Sequence, residues 1–90
     1  MQFTPEDQKR MGWHSRRGML ELDLILVPFA ENKLAGLTNT QLGLYHRLLA
    51  EEDQDMFCWF IRREPAPSAE LREIVEMILA SRKETVIAQE

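Results

Sequence analysis

The chain holds a single cysteine, Cys58, so no disulfide can form within it, and a reducing compartment is the simplest setting. Cys58 sits in Met56-Phe57-Cys58-Trp59-Phe60, where a buried or half-buried small side chain is expected, not a nucleophile. The two histidines, His14 and His46, are far apart, and neither H-x-x-x-H nor C-x-x-C spacing occurs, so no metal site is expected. Gly12, Gly18, Gly36 and Gly43 fit neither the dinucleotide-binding G-x-G-x-x-G pattern nor the P-loop. The chain therefore lacks a recognisable flavin or nucleotide fold of its own. Nothing resembles a nucleophile elbow or a paired Cys/His arrangement, and the expectation is a protein that is not an enzyme. No apolar run approaches the roughly 18 residues of a membrane span, so no membrane insertion is expected. The first residues, Met1-Gln2-Phe3-Thr4-Pro5-Glu6-Asp7, bring early acids and no hydrophobic segment, which reads as neither a secretory signal nor a transit peptide and suggests the cytoplasm. Internal repeats, low-complexity tracts and long linkers are absent as well.

What is present suits one globular domain. Ninety residues, 44% of them apolar, can bury a modest core. Charged residues make up 29% and fit the outer faces of amphipathic helices. The net charge of −4 opposes binding to nucleic acid or to anionic lipid.

Helix signals recur along the chain. Thr4-Pro5-Glu6-Asp7 carries a cap, a proline suited to the first helical position and acids at the positive helix end, which predicts a helix to about Ser15. Gly18 marks a turn. Leu22, Ile25, Leu26 and Phe29 follow at i, i+3, i+4, i+7, so the alternation over residues 20–24 is read as helix and not strand. Pro28 cannot donate to the Leu24 carbonyl, which predicts a bend or irregularity near residues 24–28. This helix is expected to end near Leu34-Ala35, with Gly36 as its stop. Thr38-x-x-Gln41 is a capping-box pattern ahead of Leu42, Tyr45, Leu48 and Leu49. After the acidic link of residues 51–55, Asp53 or Asp55 is expected to cap a short helix that ends by Glu64, ahead of Pro65 and Pro67. Ser68 caps a fifth helix striped by Leu71, Ile74, Val75, Ile78 and Leu79, and the pattern fades after Lys83. The reading is all-α: a compact five-helix bundle in a single domain over residues 1–90, with 1–3 and 84–90 frayed. Leu22, Ile25, Phe29, Leu48, Leu49, Trp59, Ile74 and Ile78 are predicted to converge in its core.

The stretch Arg16-Arg17-Gly18-Met19-Leu20-Glu21-Leu22-Asp23 does not fit this economy. A glycine inside a helix costs about 1 kcal/mol relative to alanine. Arg17 and Glu21 stand at i and i+4, but in the weaker order for a helical ion pair. With Lys9, Arg10 and His14 the arginines form a short basic cluster, and Trp13 lies among them. Trp13 either packs half-buried or serves as an exposed anchor, since Trp and Arg are enriched at binding hot spots.

Arg17-Gly18-x-x-Glu21, within Trp13-x-x-Arg16-Arg17-Gly18-Met19-x-Glu21-x-Asp23, resembles the signature of the FAD assembly factor family. Pro28-Phe29, then Leu48-Leu49 with Asp53-x-Asp55-Met56 and Trp59, then Ile74-Val75-x-x-Ile78, extend the resemblance from about residue 9 to 79. Gln54 is a departure, standing where many members carry proline. The resemblance implies a small all-helical protein that binds the flavoprotein subunit of succinate dehydrogenase, or of fumarate reductase, and promotes covalent attachment of FAD to it. It implies that FAD belongs to the client and is not stably bound by this chain, and that Arg17, Gly18 and Glu21 form the contact surface. The free protein is expected to be a monomer. Trp13, His14, Arg16 and Asp23 complete the expected partner-binding set. On this reading Arg17, Gly18 and Glu21 are largely exposed. The rival readings are an antitoxin-like or regulatory protein-binding module and a small helical nucleic-acid binder using the Arg16–Arg17 patch.

Overall fold

Thr4 opens the first helix through reciprocal bonds in a computed structural model of the chain, which describes the backbone of residues 3–89 and the side chains of residues 3–82. Its hydroxyl accepts from the Asp7 amide at 3.1 Å, and the Asp7 carboxylate accepts from the Thr4 amide at 2.9 Å. These bonds hold the Asp7 carboxyl below its ordinary value. Helix α1 covers Pro5–His14. Helix α2, Leu20–Lys33, runs into a 3-10 turn at Leu34–Gly36. Helix α3, Asn39–Leu49, starts on the predicted Thr38/Gln41 capping box, with amide-to-side-chain distances of 3.1 and 2.9 Å. Helix α4 covers Asp53–Phe60 and α5 covers Ala69–Gln89, the latter opened by Ser68, whose Oγ accepts from the Leu71 amide at 3.1 Å. The fold is all-α, a five-helix bundle with no strand among the described residues.

Helix α2 is continuous through Pro28, inside the stretch where a bend or irregularity is expected. Leu24 and Pro28 are both exposed, so water can satisfy the carbonyl that the proline leaves free. Neither Asp53 nor Asp55 caps α4: its N-cap is Glu52, without a side-chain bond, and Asp53 is engaged elsewhere. Phe3 does not fray. Its amide donates to Asn39 Oδ1 at 3.2 Å and its ring lies 5.7 Å from that of His46. Met1 and Gln2 lie outside the described residues, as do the side chains beyond Arg82, where fraying was also expected.

All eight side chains predicted to converge are buried in one cluster, with Leu22, Leu48, Ile74 and Ile78 at 0% exposure. Helix α5 lies against α2 and α3, α4 against α2 and α5, and α1 against α2 and α3. The radius of gyration is 12.4 Å, matching the roughly 12 Å of a compact chain this long. Among the described residues, one polar pair enters the core. Ser15 Oγ donates to the Met11 carbonyl at 2.7 Å, and the Tyr45 hydroxyl meets Ser15 Oγ. This pair pins the end of α1 to the middle of α3.

Candidate partner-binding site

The turn between α1 and α2 is built on a glycine for a backbone reason. Gly18 has φ +86°, a left-handed conformation that L side chains resist. A Cβ there would meet nothing within 4 Å. The requirement is therefore conformational, and the space outside is open to an approaching chain.

Arg17 corrects the sequence reading. Its side chain is only 15% exposed, and its guanidinium is engaged inside the molecule. Nε donates to Asp53 Oδ1 at 2.8 Å, Nη1 to the His14 and Leu49 carbonyls at 3.0 and 2.9 Å, and Nη2 to the Glu51 carbonyl at 2.9 Å. The reason is local geometry. The last carbonyls of a helix have no partner within it, and α1 and α3 both end here. One planar five-donor group satisfies both ends and pairs with the carboxylate that opens α4. The i, i+4 pair with Glu21 gives way to this arrangement. Asp23, half-buried, is also turned inward: its Oδ1 accepts from the Arg17 amide at 2.6 Å.

The other members of the predicted set do face outward. Trp13, His14, Arg16, Gly18 and Glu21 are exposed, Trp13 at 66%. Leu20 and Leu24 are exposed as well, at 69% and 59%. They stand one turn apart on the outer side of α2, opposite the buried Leu22, Ile25, Leu26 and Phe29. The site is thus an exposed apolar pair, a tryptophan, an arginine and a carboxylate around an open turn. Sequence reasoning overlooked Leu20 and Leu24 as surface residues. The signal was present, because α2 carries more apolar side chains than one face can bury. It also overlooked Asp53, for which no spacing rule exists across 36 positions of chain.

Among the described residues no group of three or more His, Cys, Asp or Glu side chains converges to hold a metal ion, and no helix is long and apolar enough to cross a membrane. Fold and surface together define a small helical protein whose distinctive chemistry lies on an outward face, beside an interhelical turn locked from within. The sequence profile of the family described as flavinator of succinate dehydrogenase matches residues 9–82. The FAD assembly factor SdhE of Pseudomonas syringae pv. syringae is 54% identical over 70 residues, covering 78% of this chain and 83% of the relative. That of Pseudomonas aeruginosa is 52% identical over 71 residues, 79% and 84% of the two chains. That of Pasteurella multocida is 38% identical over 83 residues, 92% and 99% of the two chains. The chain belongs to this family of FAD assembly factors.

Proposed function

We propose that this protein binds the flavoprotein subunit of succinate dehydrogenase, with that of fumarate reductase as a second client, and promotes covalent attachment of FAD to it. It acts as a cytoplasmic assembly factor and not as an enzyme. It is a monomer when free, and the FAD is held by the client. The observation that carries the reading is the outward face of the family signature: Gly18 in the turn and Glu21 in the first turn of α2 stand exposed, while their neighbours Arg17 and Asp23 are bonded inward. A client segment can approach the turn at Gly18, meet the Glu21 carboxylate as a hydrogen-bond acceptor, and cover Trp13, Leu20 and Leu24. Such a contact promotes flavinylation by fixing one client conformation, a proximity effect.

The inward engagement of Arg17 supports this reading over a nucleic-acid binder, because it removes one cation from the basic cluster of an already acidic protein.

The test is Glu21→Ala. The side chain is exposed, so stability should stay within about 0.5 kcal/mol. Loss of an acceptor that leaves client donors unpaired costs about 1–3 kcal/mol of binding. Covalent flavin on the client, read by in-gel fluorescence at matched levels of the factor, should fall. Unchanged client binding and flavinylation would remove this surface from the mechanism.

A further inference from the structure

We propose that Asp53 is a positioning residue: through Arg17 it fixes the turn that the client reads. The inference rests on the functional reading above and adds a residue from the acidic link, far from the signature in sequence. The turn of residues 15–19 joins two helices and contains a left-handed glycine. A glycine permits many conformations, so one geometry must be imposed by bonds to residues outside the turn. Arg17 imposes it from both of its ends. Its amide is held by Asp23 at 2.6 Å, and its guanidinium bridges the ends of α1 and α3 to the start of α4. Of the acceptors around that guanidinium, three are carbonyls and one is charged, the Asp53 carboxylate at 2.8 Å. Charge-assisted bonds are about twice as strong as neutral ones. Asp53 also stands at the positive end of α4, where a carboxylate is held favourably. It is therefore the strongest point in the clamp. Releasing it leaves the guanidinium on three neutral carbonyls with no charged partner, which loosens the clamp and with it the place of Gly18 and Glu21. Glu51 contributes its carbonyl to the clamp and Glu52 only its position at the N-cap, so the side-chain charges of the same link are not needed.

The experiment measures binding of the full-length factor to the apo flavoprotein subunit of succinate dehydrogenase, well below the melting temperature, with amide exchange at Arg17 and Gly18 as a second readout. Asp53→Ala should weaken client binding about tenfold, equivalent to about 1.4 kcal/mol, and accelerate exchange in the turn. Asp53→Asn keeps an oxygen acceptor for Nε but not the charge, and should recover only part of the affinity. Glu52→Gln should bind as the wild type does. Combining Asp53→Ala with Arg17→Lys should be no worse than the weaker single variant, because both act through one contact. If Asp53→Ala melts too low to assay, Arg17→Lys takes its place, since it keeps the charge and loses the fork. A lower melting temperature with unchanged affinity, or additive losses in the double variant, would overturn the proposal. Glu21→Ala separates the two claims. If it weakens binding while the Asp53 and Arg17 variants do not, only the clamp fails; if none of them does, the client-binding reading fails with it.

Discussion

Ser15 has one hydroxyl proton and directs it to the Met11 carbonyl at 2.7 Å, so the Tyr45 hydroxyl must be the donor to Ser15 Oγ. That donor is embedded in the core, and burial pushes the Tyr45 hydroxyl up from 10.0 to about 12. The folded state thus holds the proton more tightly than the unfolded chain. The associated stability is fully present below pH 10 and is lost as the pH rises from about 10 to about 12. Tyr45→Phe removes the titration. At pH 7 it should cost about 1 kcal/mol, for a buried Ser15 oxygen that loses its donor. Between pH 10 and 12 its melting temperature should fall less steeply than that of the wild type, and thermal melts across that range check the difference. A parallel fall would show that Tyr45 titrates no differently in the folded state. Neither the Ser15–Tyr45 pair nor the Arg17–Asp53 pair was legible in the sequence. Both join residues 30 or more positions apart, and polar pairing across a bundle leaves no periodic trace. Gly18 was legible as a turn, but its left-handed φ, which is what requires glycine, was not.

Helix α2 faces two ways. Its inner stripe was readable from i, i+3, i+4, i+7 spacing, and Leu22, Ile25, Leu26 and Phe29 are buried as expected. Its outer stripe was hidden by the same apolar richness, since a leucine by type does not declare which side it takes. Leu20 and Leu24 contribute little to folding where they stand, at 69% and 59% exposure. A partner that covered them would gain on the order of 1 kcal/mol or more from each. Leu20→Gln with Leu24→Gln should therefore leave the melting temperature nearly unchanged while weakening client binding by tenfold or more. Calorimetric melts and titration against the apo client measure the two effects. A drop in stability without a change in binding would place the pair in folding and not in recognition. The caps of α1, α3 and α5 were legible because Thr4, Thr38 and Ser68 act within three residues of their targets. The start of α4 was misread because its aspartate answers to a distant arginine and not to its own helix.

At the scale of the molecule, one core serves every element, so damage at a distance from the turn should act through folding alone. Ile74 is fully buried in α5, a helix whose described residues make none of the bonds of the Arg17 clamp. Ile74→Ala should cost about 2–5 kcal/mol, a large part of the 5–15 kcal/mol expected of a domain. Ile74→Val should cost only about 0.5–1.5 kcal/mol. Both should lower the amount of folded factor in cells and so lower covalent flavin on the client. The loss should scale with the folded fraction. When flavinylation is divided by folded protein, measured by pulse proteolysis, both variants should return to the wild-type value, whereas Glu21→Ala and the Leu20/Leu24 double variant should not. An Ile74 variant that still fell short after this correction would mean that the core sets more than stability. The turn would then be held not by the Arg17 clamp alone but by the packing of α5 against α2 and α3 as well.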